Sequence, residues 1–304
     1  LGVYEAYFNL YSAQGNVKAA LADIDDAKSA YDSAKARLDN SVGSKQDELR
    51  AKATLKNAEY ALALANSSVE TARAHLAESL GIEVSESLKI SDSIEIPQGE
   101  EAEKKIDELM AGALRERQTV LAAYSKLEAA KQNVKAAERD FLPKISAQGS
   151  MVWTDYTGDN MYGAPYNNYS LGATLSWDLF TGFARKYELI SAQAKERAAE
   201  QQLKETEIRI ISAVWSSYYS YKSAVLQLES SKAAVDASEE AYKATKTAYE
   251  NGVGTITDLL NSISTLSKAR QQQVSAESAL SMSIANLAHA TGRLNAGIPA
   301  DLGD

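Results

Sequence analysis

The sequence predicts a mainly α chain with a β-barrel portion. Long antiparallel coiled-coil helical hairpins in tandem repeat carry one amphipathic membrane β-hairpin. Three observations predict this. The chain matches itself at a single offset, apolar residues recur every seven positions over long runs, and between residues 144 and 181 the apolar period changes to two.

The repeat comes first. Val3-Tyr4-Glu5-Ala6-Tyr7 aligns with Val214-Trp215-Ser216-Ser217-Tyr218, an offset of 214 − 3 = 211, which holds without a gap to Gly81 and Gly292. Ala30-Tyr31 meets Ala241-Tyr242, Val42-Gly43 meets Val253-Gly254, Asp47 meets Asp258, and Thr54-Leu55 meets Thr265-Leu266. Alanine and serine are abundant enough to produce chance matches, but the shared Gly, Asn, Asp and Tyr positions are not explained that way.

Residues 1–81 form the first hairpin. Val3, Leu10, Val17, Ile24, Tyr31 and Leu38 make one heptad row, and Ala6, Ala13, Ala20, Ala27 and Ala34 make a second row of small residues. One bulky and one small row form a coiled-coil seam that lets backbones approach closely. The turn Asn40-Ser41-Val42-Gly43-Ser44 separates the two arms, with asparagine and glycine ending the first helix and Ser44 placed to cap the return helix. Leu55, Leu62, Val69 and Leu76 line that helix.

Residues 82–100 break the pattern. Ile82, Val84, Leu88, Ile90, Ile94 and Ile96 alternate with polar residues up to Pro97-Gln98-Gly99, which reads as a strand or two in a small mixed segment. Residues 101–143 return to helix and stop at Pro143, which cannot sit inside a helix.

In residues 144–181 Tyr169, Leu171, Ala173, Leu175, Trp177 and Leu179 fall on one face, and Ser170, Gly172, Thr174, Ser176 and Asp178 on the other. Upstream, Ile145, Ala147, Gly149, Met151 and Trp153 oppose Ser146, Gln148 and Ser150, with Val152 off pattern. Runs of this length suit tilted membrane strands. Phe141, Trp153, Tyr156, Tyr166, Tyr169, Trp177 and Phe180 cluster near their ends as an aromatic girdle would. A polar loop, Thr154 to Asn168, joins the two runs. A soluble hairpin with one buried face is the competing reading. A two-stranded ribbon is marginal alone, and one hairpin per chain cannot close a barrel, so several chains must combine.

Residues 182–292 form the second hairpin. Thr181-Gly182 opens a helix from about Phe183 to Glu250, roughly 100 Å long at 1.5 Å per residue. Its bulky row is Val214, Tyr221, Leu228, Val235, Tyr242 and Tyr249, and its small row Ser217, Ala224, Ser231, Ser238 and Thr245. The turn Asn251-Gly252-Val253-Gly254-Thr255 precedes a return helix through Leu266, Gln273, Leu280 and Leu287. Residues 293–304 are a C-terminal tail.

Composition narrows the function. Without cysteine there is no thiol catalysis, disulfide or Cys-ligated metal, and the two histidines lie far apart. With 32 Lys+Arg against 41 Asp+Glu, the net charge of −9 argues against a nucleic-acid partner. No nucleophile–base pair, phosphate loop or cofactor motif is present, so neither an enzyme nor a cofactor is expected. No apolar run is long enough for a transmembrane helix. A chain beginning at Leu1 reads as a processed or trimmed piece.

Taken in order, these elements resemble the TolC-type outer-membrane efflux proteins. The resemblance rests on Asp140-Phe141-Leu142-Pro143 leading into the strands and Trp177-Asp178-Leu179-Phe180-Thr181-Gly182 leading out. It rests also on the turn from Asn251 through Thr257-Asp258-Leu259-Leu260. It implies a homotrimeric α/β barrel in the outer membrane of a Gram-negative bacterium, each protomer giving four strands, with the helices forming a periplasmic tunnel. It implies an exit duct for efflux or type I secretion, working with a periplasmic adaptor and an inner-membrane pump. The family places a strand pair before each hairpin, so the first pair is expected upstream of Leu1.

The same resemblance assigns the turns. Val253, Gly254 and Thr255, with Val42, Gly43 and Ser44, are expected adaptor contacts; the competing reading of Gly43 and Gly254 is that each only supplies a positive φ to its turn. Asp258 and Asn261, with Asp47 as the repeat-one counterpart, are expected at the pore constriction. The competing reading of Asp258 and Asp47 is an acidic residue in a helix's first turn, favoured by the dipole. Phe141, Trp153, Tyr169, Trp177 and Phe180 are the expected girdle. A soluble coiled-coil scaffold or tether is the alternative to the duct.

Overall fold

The computed structural model describes residues 1–85, 90, 105–154 and 166–294. Among these residues six helices and two strands follow in the order α1 (Gly2–Asp39), α2 (Lys45–Leu80), α3 (Ile106–Glu116), α4 (Gln118–Arg139), β1 (Lys144–Thr154), β2 (Tyr166–Ser176), α5 (Ala184–Glu250) and α6 (Ile256–Thr291). They fall into two compact units, one of residues 1–117 with 210–304 and one of residues 118–209.

In the larger unit α1 packs on α2 and, along another face, on α6, and the lower part of α5 joins them. The small heptad row of α1 is its buried one. Ala13, Ala20, Ala27 and Ala34 are buried, whereas in the bulky row only Leu10 is. Alanine there lets neighbouring helices come close, so the large side chains of the partners fill the space. Ala30, Ala34 and Ala51 thus pack with Tyr242, Tyr249, Ile256, Leu259, Ile263 and Leu266. At Gly15 the approach is closest: a Cβ there would lie 2.7 Å from Val274 Cγ1.

The repeat is visible in hydrogen bonds. At the end of α1, Val42 N–H donates to Arg37 O and Ser41 N–H to Leu38 O, both at 2.9 Å. At the end of α5, Val253 donates to Ala248 and Gly252 to Tyr249, both at 3.0 Å. Each donor and acceptor is shifted by 211. This two-bond closure satisfies carbonyls that the helix leaves open. The same closure ends α2 at Gly81 (φ 69°) and α6 at Gly292 (φ 83°). Ser44 and Thr255 cap α2 and α6 by accepting from the N–H of Asp47 and Asp258.

Geometry excludes the competing reading of the tip glycines. The positive φ of each tip falls on Ser41 (62°) and Gly252 (77°), not on Gly43 or Gly254. Those two glycines answer a close approach instead. A Cβ on Gly43 would meet Leu38 N at 2.9 Å, and one on Gly254 would meet Ala248 Cβ at 3.0 Å.

The single helix expected over 101–143 is interrupted. Arg117 is extended (φ −72°, ψ 123°) between α3 and α4. Its guanidinium donates to Ala290 O at 2.9 Å, near the end of α6, where a cation meets the negative end of the helix. The strands expected around 82–99 lie mostly outside the described residues, and Ile82–Ser85 and Ile90 carry none.

The smaller unit holds α4, the first turns of α5, and an antiparallel β1–β2 pair in the register Lys144↔Ser176 to Thr154↔Tyr166. The loop expected between the strands lies outside the described residues except at its ends.

Candidate functional site: the strand pair and the hairpin tips

Register sorts the strand residues into faces, because directly opposed partners share one. Ile145↔Leu175, Ala147↔Ala173, Gly149↔Leu171, Met151↔Tyr169 and Trp153↔Asn167 make one face, apolar except at its last pair. Ser146↔Thr174, Gln148↔Gly172, Ser150↔Ser170 and Val152↔Asn168 make the other, with the Ser150 and Ser170 hydroxyls 2.7 Å apart. Leu171, at 90% exposure, and Ile145, at 80%, are uncovered. In water such a face is unfavourable at roughly 25 cal/mol per Å². It calls for an apolar surrounding, while the other face is built for water.

Of the five girdle candidates, Phe141, Trp177 and Phe180 stand at one end of the pair, Trp153 near the other and Tyr169 two pairs further in. At the first end Trp177 Nε1 donates to Phe141 O at 3.3 Å. Beside it Arg185 donates to the carboxylate of Asp178 at 3.0 Å and to its backbone carbonyl at 2.6 Å, and it also approaches Asp140 at 3.8 Å. Lys144 pairs with Asp140 at 2.5 Å. Both helix–strand junctions are thereby tied to one guanidinium.

The tips of the larger unit are built by contacts between repeats. Arg37, at the end of α1, donates to Tyr249 O at 2.9 Å and Glu250 O at 3.3 Å, and its guanidinium lies 5.1 Å from the Tyr249 ring centre. Arg50 of α2 donates to Thr257 Oγ1 at 3.1 Å. The two turns are held side by side. Val253, at 85% exposure, and Val42, at 64%, stand uncovered on them, with Ser44 and Thr255 exposed beside them.

Asp258 is exposed, and its carboxylate accepts from the Thr255 hydroxyl at 2.6 Å while its N–H donates back at 3.2 Å. This reciprocal pair resembles a capping box. Asn261, three residues on, shares the exposed side of α6. Asp47 is half-buried and donates its N–H to Ser44 Oγ at 3.1 Å. Burial and the nearby Asp47 charge raise the Tyr249 hydroxyl pKa above its usual value.

A polar cluster that the sequence reading missed lies farther along the same unit. Asp23, only 8% exposed, accepts from Ser267 Oγ at 2.5 Å and from Arg270 at 3.0 Å. Arg270 also reaches Asp26 at 2.8 Å and Glu239 at 4.0 Å. Burial and then Asp26 raise the Tyr242 hydroxyl pKa well above its usual value. In the repeat alignment Asp23 stands against Ala234 and Arg270 against Glu59 (23 + 211 = 234; 270 − 211 = 59), so the two hairpins do not share this pair.

A sequence model described as "Outer membrane efflux protein" matches residues 109–293, well over half of the chain. The chain belongs to this family. Its relatives include the outer membrane protein TolC of Salmonella enteritidis, 24% identical over 199 residues, which covers 63% of this chain and 40% of that protein. The outer membrane efflux protein BepC of Brucella suis is 26% identical over 266 residues, covering 84% and 54%. The chain thus spans about half the length of the curated relatives it matches. Among solved structures, the open state of the Neisseria gonorrhoeae MtrE outer membrane channel superposes with a TM-score of 0.78 at 21% identity, over 96% of this chain and 65% of that one. That likeness shows the fold: mainly helical and of the outer-membrane efflux channel type.

Proposed function

We propose that this chain contributes tunnel helices and one strand pair to a homotrimeric outer-membrane exit duct, which passively conducts substrates delivered by an adaptor and pump. The observation that carries the reading is the strand pair. A family of outer-membrane efflux proteins supplies the setting, and a ribbon with one uncovered apolar face and one polar face fits a wall between lipid and water. Phe141, Trp153, Tyr169, Trp177 and Phe180 serve as its girdle. The family match favours the duct over a soluble scaffold or tether.

The tips are the periplasmic end. Val42, Gly43 and Ser44 with Val253, Gly254 and Thr255 meet the adaptor, supported by the two valines left uncovered on turns that Arg37 and Arg50 hold together. Asp258, Asn261 and Asp47 lie at the constriction. In a trimer three Asp258 carboxylates surround one axis, where like charges attract cations. The segments divide as 1–81 and 182–292 for the tunnel hairpins, 144–181 for the membrane, and 82–100, 101–143 and 293–304 between or after them. No reaction is catalysed and no cofactor is needed, since the pump supplies the energy. Single-channel recording of the full-length protein in planar bilayers tests this. Asp258→Ala is expected to change conductance and weaken block by divalent cations. Wild-type values for both would remove Asp258 from the constriction, and absence of any channel would remove the duct.

A further inference from the structure

The uncovered apolar surface of the smaller unit does not stop with the strands. Leu179, Phe180 and Phe183 occupy the link from β2 into α5 and are exposed at 80%, 77% and 63%. The rings of Phe180 and Phe183 meet edge to face with centres 5.8 Å apart. Gly182 (φ 61°) and Phe183 (φ 66°) are both left-handed, a conformation that phenylalanine seldom adopts. Tyr187 and Ile190 then stand three apart on one face of α5, and both are exposed, as is Phe183 just before the helix. Beside them Asp140, Asp178, Lys144 and Arg185 pair with one another, leaving little net charge at the corner.

We propose that the face formed by Leu179, Phe180, Phe183, Tyr187 and Ile190 is an interfacial anchor, occupied by phospholipid of the periplasmic leaflet at the boundary of headgroups and acyl chains. The proposal rests on the duct reading and extends its membrane contact off the strands onto the first two turns of α5. Strands of 11 residues already suffice to cross the hydrocarbon when tilted, so the residues that follow β2 fall at headgroup depth. The aromatic corner is continuous in sequence with the apolar face that Leu171, Leu175 and Trp177 begin. Phenylalanine, tyrosine with its polar tip and the adjacent Lys186 are the residue types that such a boundary favours. Pairing lowers the cost of bringing these ionised groups to that depth.

Cysteine scanning of the full-length protein in phospholipid vesicles tests it, since these 304 residues contain no cysteine of their own. A nitroxide is attached in turn at Phe183→Cys, Tyr187→Cys, Ile190→Cys, Glu188→Cys and Leu171→Cys. Collision with oxygen, which concentrates in hydrocarbon, is compared with collision with a water-soluble nickel chelate. Labels at 183 and 187 are expected to favour oxygen several-fold, and the label at the exposed Glu188 position to favour nickel. Should 183 and 187 favour nickel, or be shielded from both as a neighbouring protomer would shield them, the anchor is overturned while oxygen preference at 171 leaves the duct standing. Nickel preference at 171 as well would overturn the duct and the anchor together. If Phe183→Cys fails to assemble, Tyr187→Cys and Ile190→Cys carry the same decision.

Discussion

Removing Arg270 should loosen the joint between α1 and α6 far more than removing any exposed ion pair. Its side chain is 19% exposed and faces Asp23 and Asp26, at 11% and 17%. Arg270→Ala leaves two poorly hydrated carboxylates without the guanidinium they share, with the Ser267 hydroxyl on Asp23 and the Tyr242 hydroxyl on Asp26 as the donors that remain. Taking one partner from a buried ionic group costs about 3–5 kcal/mol. At 1.36 kcal/mol per decade this is roughly two to four decades in the opening equilibrium. Amide hydrogen exchange on the native protein reads that equilibrium directly: protection in residues 20–30 and 263–275 should fall by at least about a hundredfold. Replacing the group as a whole (Asp23→Leu, Asp26→Leu and Arg270→Met) should restore most of the loss, because the desolvation of the charges disappears with them. The exposed Lys56–Glu59 pair is the control, and Lys56→Ala should change protection by less than about 1 kcal/mol. A change within threefold for Arg270→Ala would refute the reasoning and place the cluster in effective contact with water.

Three further predictions follow from the geometry. Gly254→Ala drives a Cβ to 3.0 Å from Ala248 Cβ and should destabilise the α5–α6 tip by about 1–3 kcal/mol, whereas Ser41→Gly relieves a left-handed serine and should stabilise the α1–α2 tip by about 1 kcal/mol; exchange at the tip amides reads both. Stability should hold steady as pH rises toward 10.0, the ordinary tyrosine value, and fall above it, because burial keeps Tyr242, Tyr11 and Tyr249 protonated in the folded state after they would ionise when unfolded; Tyr242→Phe should flatten that alkaline slope in a denaturation series. Leu171→Arg on the apolar strand face should cost about 2–4 kcal/mol and reduce assembly into membranes, while Gln148→Arg on the polar face should assemble normally, as membrane-fraction yields will show.

The period of apolar residues made the hairpins and the strand pair legible, and the turn residues placed the caps at Ser44 and Thr255. What stayed hidden was decided by contacts distant in sequence. The break at Arg117 has neither glycine nor proline beside it and exists where its guanidinium reaches Ala290, 173 residues away. Arg270 finds Asp23 across 247 positions, so no local pattern announces it. Gly43 and Gly254 were recognisable as special, but only coordinates distinguish a steric requirement from a left-handed one. The strand faces could be assigned by alternation alone, since a period of two leaves a single choice of partner face; Val152, off pattern in sequence, pairs with Asn168 on the polar face.

In the proposed duct, strand ribbons from three identical chains close one lipid-embedded wall. The mass of the full-length assembly, extracted from membranes in mild detergent and weighed by native mass spectrometry, tests this most directly. Three protomers per particle, released only when detergent is present, is the predicted result. A single chain that leaves the membrane fraction in plain buffer would contradict it.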